Sequence, residues 1–128
     1  MAVKNNVLLV SLITLGFGCS AVAEERAPDA VEIHPEVHHV LFENEHVRVF
    51  RAIAGADDTS PMHSHPPFVL ISLGQARLRM TMPDGQTAIF DLLPGDVHWL
   101  GDGIEHSWEL LAGEVHVVAV EVKSAASH

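Results

Sequence analysis

A chain of 128 residues with 17 acidic and 7 basic side chains, formally −10 at pH 7, is long enough for one domain and too short for two comfortable cores. The acidic balance argues against nucleic acid and anionic membrane as partners, because both repel a negative surface. A single cysteine, Cys19, rules out an intrachain disulfide framework and a cysteine-rich metal site.

Residues 1–23 read as a secretory signal peptide. Lys4 stands in an acid-free start, residues 7–17 form an apolar run broken only by Ser11 and Thr14, and Ala21-Val22-Ala23 is a small-x-small cleavage sequence. The run falls well short of the roughly 20 residues that cross a bilayer. Cleavage after Ala23 is expected, with the mature chain periplasmic or secreted and not in the membrane. Cys19 is lost with the leader; a lipid anchor on it is disfavoured because Gly16 stands where such signals carry a Leu-like residue. A mature domain without thiols must be held by its apolar core, helped by a metal or a partner subunit.

Residues 24–36 are charged, contain proline and show no sustained period. They read as a flexible lead-in or as an arm lying across the domain. The domain itself spans 37–123, and nothing in it has helical periodicity. Apolar residues come in strand-length runs at 37–42, 47–53, 68–73, 76–82, 87–92, 97–100, 107–111 and 115–122. Turn chemistry separates the later ones: Pro83-Asp84-Gly85, Pro94-Gly95-Asp96, Gly101-Asp102-Gly103 and Ala112-Gly113-Glu114. Short strands at this spacing predict an all-β, antiparallel sandwich or barrel. Residues 124–128 read as a frayed tail.

The chemistry concentrates in His63, His65 and His106. On a strand, residues i and i+2 project from the same face about 6–7 Å apart, so His63 and His65 can lean onto one metal ion. A third imidazole from a neighbouring strand would complete one face of a coordination sphere and leave the other open to water, O₂ or substrate.

In these segments the chain resembles the cupin family. Its first motif, Gly through His-x-His and Glu to Gly, is matched from Gly55 through His63-Ser64-His65 to Gly74. Its second is matched from Gly95 through Gly103 and His106 to position 110. The resemblance implies a double-stranded β-helix, or jelly-roll barrel, and metal ligation by His63, His65 and His106. The matches depart from the family pattern in four places. No Glu follows His65, the spacing to Gly74 is about two residues short, Gly101 replaces a Pro, and Leu110 replaces an Asn.

Cupins with three-histidine sites include thiol and diketone-cleaving dioxygenases, which implies Fe(II) as the favoured metal. Zn, Mn, Ni and Cu also suit imidazole ligands. An all-neutral ligand set leaves the ion's charge uncompensated and favours an anionic or chelating small molecule. Two functions stay open: a metal-dependent dioxygenase, and a non-catalytic small-ligand or metal-binding module acting as sensor or carrier. A homodimer is expected, since cupins often pair through edge strands.

Other candidates carry weaker expectations. His98 is either a fourth ligand or an ordinary strand histidine, the latter preferred. Glu105 is expected to face away from His106 into solvent. His34, His38, His39 and His46 lack consistent ligand spacing and default to surface roles or a low-affinity metal patch. Trp99, Trp108, Phe50, Phe68 and Phe90 line a pocket or fill the core. Arg77 and Arg79 share one strand face and are either solvated or aimed into the barrel mouth to bind a carboxylate; solvation is preferred for at least one of them.

Overall fold

The computed structural model of the chain describes residues 25–124. The expected signal peptide, with Cys19 and the cleavage point after Ala23, lies outside the described residues, as does the tail beyond Ser124. One helical turn, α1 (Ala30–Ile33), precedes nine strands: β1 (His38–Glu43), β2 (Val47–Ala54), β3 (Thr59–His65), β4 (Phe68–Ser72), β5 (Ala76–Thr81), β6 (Thr87–Leu92), β7 (Val97–Leu100), β8 (Ile104–Gly113) and β9 (Val115–Val122). They form a five-stranded sheet in the order β1-β2-β9-β4-β7 and a four-stranded sheet in the order β3-β8-β5-β6. Every pairing between these strands is antiparallel.

Period-two patterning creates the core. Phe50, Ala52 and Ala54 of β2, Val115, Val117 and Ala119 of β9, and Phe68 and Leu70 of β4 turn to one side of the five-stranded sheet. Leu78 of β5, Leu92 of β6, and Trp108 and Leu110 of β8 meet them from the other sheet. Burying each large side chain contributes about 1.5–3 kcal/mol.

Two departures from the apolar pattern exceed a single residue: β8 runs from Ile104 to Gly113 rather than 107–111, and β3 matches none of the apolar runs. Its sequence, Thr-Ser-Pro-Met-His-Ser-His, has no apolar alternation because the side chains it turns inward are Ser60, His63 and His65, all buried. Pairing with β8 compensates, aligning His63 with His106 and His65 with Ile104. Pro61 falls at the irregularity between Ser60 and His63, on the edge of its sheet, where a missing amide is tolerated.

Residues 26–29 lie along β3 and cover that edge. Ser64 donates its amide to the Pro28 carbonyl at 2.8 Å and its hydroxyl to the Ala27 carbonyl at 2.7 Å. The Ala27 amide donates to Glu105 Oε1 at 2.6 Å, and Arg26 Nη2 to the His65 carbonyl at 2.7 Å. Asp29 then caps α1, accepting from the Val31 amide at 3.0 Å. An otherwise open strand edge is thereby closed.

The four expected turns join β5 to β6, β6 to β7, β7 to β8 and β8 to β9. In the third, Gly103 has φ +70°, and a Cβ built there would lie 2.5 Å from the His65 carbonyl oxygen and 3.2 Å from Pro66 C. Only glycine lets this turn seat against the end of the histidine strand. Gly103→Ala is expected to lower stability by about 2 kcal/mol or more, combining left-handed strain with displacement of backbone. Urea unfolding followed by tryptophan fluorescence reads this out, and an unchanged midpoint would mean that the turn does not bear on β3.

Candidate metal centre

Cross-strand register brings the three histidines together. His63 and His106 are direct partners on β3 and β8, and His65 follows two residues on from His63. The rings of His63 and His106 have centroids 4.6 Å apart, those of His63 and His65 4.8 Å, and those of His65 and His106 5.5 Å. One nitrogen from each lies within 4.8 Å of the others, and all three residues are buried. Three side chains so placed could hold one metal ion.

Their hydrogen bonds decide which nitrogens are free. His63 Nδ1 donates to the Pro61 carbonyl at 2.8 Å, which leaves the Nε2 lone pair unused. His65 Nδ1 donates to Glu121 Oε1 at 3.1 Å and likewise frees Nε2. His63 Nε2 and His106 Nδ1 are buried without a hydrogen-bond partner. Unpaired buried nitrogens are uncommon in a folded protein; His98 Nε2 is a third, alone beside Phe90, whereas these two belong to one cluster of three imidazoles and fit a metal. Burial, followed by repulsion from neighbouring imidazoles, pushes the His106 pKa down to about 3. Burial likewise pushes His63 down to about 4, aided by His65. Both imidazoles are therefore neutral and able to ligate at physiological pH.

The residue that sequence reasoning missed is Glu121. It sits on β9 with 1% of its surface exposed. Its Oε1 holds His65, while its Oε2 accepts from Arg48 Nε at 2.7 Å; Arg48 Nη2 donates in turn to Asp29 Oδ2 at 2.6 Å. Arg48 and Glu121 are cross-strand partners on β2 and β9. Burial works against charge on Asp29, but Arg48 and two backbone amides outweigh it and hold the carboxyl below its usual range. Burial also works against charge on Arg48, and both carboxylates outweigh it and raise its pKa. The three candidate ligands remain imidazoles; what the sequence reading lacked is a carboxylate that touches one of them directly. The signal was available, because Glu121 shares parity with Val115, Val117 and Ala119, and Arg48 with Phe50 and Ala52.

His38 also departs from expectation. Far from a surface residue, it is 4% exposed, with its ring 5.5 Å from His63 and 6.2 Å from His65. The segment 34–38 turns back on itself, the His38 amide and Nδ1 both bonding the His34 carbonyl, and this carries the ring inward. Burial pushes its pKa down to about 4. His34 is half-buried with Nδ1 3.3 Å from Ser60 Oγ, and His39 and His46 are exposed.

The remaining candidates lie elsewhere. His98, half-buried on β7, packs its ring 4.9 Å from Phe90 and is outside the histidine cluster. Glu105 points away from His106 but serves the arm through Ala27 instead of standing free in water. Arg77 and Arg79 are exposed and pair with Asp91 and Glu109, so neither enters the barrel. Trp99 is 60% exposed on the outer face of β7, contrary to the pocket or core reading, because its neighbours His98 and Leu100 take the inward positions. Beside the cluster lies an interior cavity of about 50 Å³, bounded by His38, His65 and His106 and by apolar side chains including Phe50, Phe68 and Trp108.

No protein-family model matches the sequence, and no curated protein matches it. Solved structures do. A cupin domain from Bordetella pertussis aligns with a TM-score of 0.63 at 22% identity, over 80% of this chain and all of that one. An RmlC-like cupin with a double-stranded β-helix fold from Methanocaldococcus jannaschii aligns at 0.54 and 16%, over 67% and 78% of the two chains. A DMSP lyase from Ruegeria pomeroyi aligns at 0.50 and 18%, over 66% of this chain and 42% of that enzyme. These likenesses establish the fold: this chain is a small cupin-type double-stranded β-helix.

The lowered pKa values have a consequence for stability. Unfolded histidine titrates near 6.5, whereas His38, His63 and His106 titrate at about 4, about 4 and about 3 in the fold. Between those limits the unfolded chain binds protons that the folded chain refuses, so stability falls as pH drops below about 6.5 and this loss levels off once the folded values are passed. The metal-free protein should therefore melt at progressively lower temperature from pH 7 to 5, each histidine contributing up to about 1.4 kcal/mol per pH unit. A flat melting temperature across that range would refute the neutral, buried state of these rings.

Proposed function

We propose that this chain is an exported, single-domain cupin that holds one divalent metal through His63, His65 and His106 and uses it to oxidise a small anionic or chelating substrate with O₂. The observation that carries the reading is the buried cluster itself, with one nitrogen of each ring within 4.8 Å of the others, and with His63 and His106 each holding a buried nitrogen that lacks a hydrogen-bond partner. Fe(II) is the favoured metal, with Zn, Mn, Ni and Cu as alternatives that the same imidazoles accept. The three-part pattern of residues 1–23 supports export to the periplasm or beyond. Nucleic acid and membrane are not among the proposed partners of so acidic a chain.

A redox metal, when bound, would supply the electron chemistry toward O₂. The protein's own contribution is positional. Pro61 and Glu121 fix the orientations of His63 and His65 through their Nδ1 protons, and apolar side chains form most of the wall of the adjoining cavity. The second reading is a non-catalytic metal or small-ligand carrier. The cavity favours it: about 50 Å³ beside the cluster leaves little room for an organic substrate.

Metal analysis of the mature protein, purified without chelator, should find near one equivalent per chain, lost in the His63→Ala, His65→Ala, His106→Ala triple variant. Glu121→Gln should weaken metal binding by about 10- to 100-fold while leaving the three ligands in place. O₂ consumption with small carboxylates, thiols or diketones would support the enzyme. Metal uptake without turnover would support the carrier, and failure to bind Fe(II), Zn or Cu would remove both metal readings.

We also propose a homodimer. Phe42, Val49, Val120, Val69 and Trp99 form one cross-strand row across the outside of the five-stranded sheet, with Phe42 54% and Trp99 60% exposed. Val97, 64% exposed, extends the patch. An apolar sheet face of this breadth is unusual on a free monomer, and a second copy can cover it. Sedimentation should show a dimer at micromolar concentration, converted to monomer with unchanged circular dichroism by Val97→Lys with Trp99→Glu. A monomeric wild type would overturn this assignment.

A further inference from the structure

Four imidazoles, His38, His63, His65 and His106, pack against one another, and their contacts form a closed cycle. His38 touches His63 and His65, and each of those touches His106. His38 and His106 are the two members not in ring contact, so they occupy opposite corners. His38 therefore stands on the side of the cluster away from His106, and it lines the same small cavity as His65 and His106. It lies outside the group whose nitrogens converge within 4.8 Å, which separates it from the candidate ligands.

Its hydrogen bonding defines what it can offer. The His34 carbonyl can only accept, so His38 Nδ1, 3.1 Å away, carries the proton. Nε2 of the neutral ring then has a lone pair and no hydrogen. The T-shaped packing of the ring on Phe50, with centroids 5.3 Å apart, holds this arrangement in place. A group at the cavity thus meets an acceptor at His38 and apolar carbon over most of the remaining wall. A volume of about 50 Å³ admits a ligand of only a few heavy atoms, since about 10–15 Å³ of such space seats one water.

We propose that His38 is the receiving residue of this site: its Nε2 accepts a hydrogen bond from a small protic ligand, of water or hydroxylamine size, held between it and the His63–His65–His106 cluster. This rests on the metal reading above and deepens it by naming the ligand class. A ligand of the same size without hydrogen gains nothing from such an acceptor, so the site discriminates by protons as well as by volume.

The test uses Co(II)-loaded protein and two probes read by visible absorption: hydroxylamine, which carries N–H and O–H, and azide, which carries no hydrogen. In His38→Phe, which preserves a ring against Phe50, Co(II) should still bind at one equivalent. Hydroxylamine affinity should fall by about tenfold, the upper end for one lost hydrogen bond, while azide affinity changes by less than about threefold. His38→Gln, which restores a carbonyl acceptor, should recover part of the loss. Equal weakening of both probes, or of neither, would overturn the proposal by reducing His38 to packing; loss of Co(II) would overturn it by making His38 a ligand. Nitrogen-15 spectra of the metal-free wild type supply an independent arm. The Nδ1–H form is expected at His38, and the Nε2–H form would refute the proposal even if the three-histidine centre binds metal as expected. Failure of the wild type to bind Co(II) would instead sink the metal reading and this inference with it.

Discussion

A buried carboxylate joins the two sheets at the point where the chemistry is concentrated. Glu121 projects inward from β9 and reaches across to His65 on β3, with Arg48 beside it and Asp29 beyond. An isolated carboxylate 1% exposed would be strongly unfavourable; with Arg48 on one oxygen and an imidazole N–H on the other, both are satisfied. Such a network is sensitive to deletion, because removing one member strands the others in low dielectric. It also orients: His65 can present Nε2 to the interior only because Glu121 holds its Nδ1 proton.

The same network explains why residues 26–29 belong to the architecture of the site. Asp29 caps α1 and anchors Arg48, while its neighbours Ala27 and Pro28 pair with Ser64 between the two histidines of β3. The arm, the edge strand and the buried ion network are thus parts of one hydrogen-bonded unit. Closing the edge of β3 also lets a polar strand lie beside an apolar core, since its backbone groups and its histidines are satisfied from opposite sides.

The interior is better described as a ring of imidazoles around a very small space than as a pocket for an organic molecule. Four clustered imidazoles, an apolar wall and a cavity of about 50 Å³ favour small ligands with few atoms. Chemistry on a larger substrate would require it to approach from outside this cavity or the walls to move.

Much of this was legible in the residues. Alternating apolar runs and Gly-containing turns specify antiparallel strands by local geometry, and the His-x-His pair with His106 marks the centre because period-two projection needs no tertiary information. Strand β3 was not legible as an apolar run, since its buried face is made of imidazole and hydroxyl. Glu121 and Arg48 were readable by parity yet look like ordinary surface charges until a partner strand is known. His38 left no signal, because β1 is exposed along nearly all its length and one buried ring at its start breaks no pattern. The sequence by itself determined the strand-forming stretches, the turns and the three-histidine motif, all of which depend on neighbours a few residues away. Only the tertiary structure decided which charges are buried, which histidine joins the three and how much space they enclose, because those depend on which strands the register sets side by side.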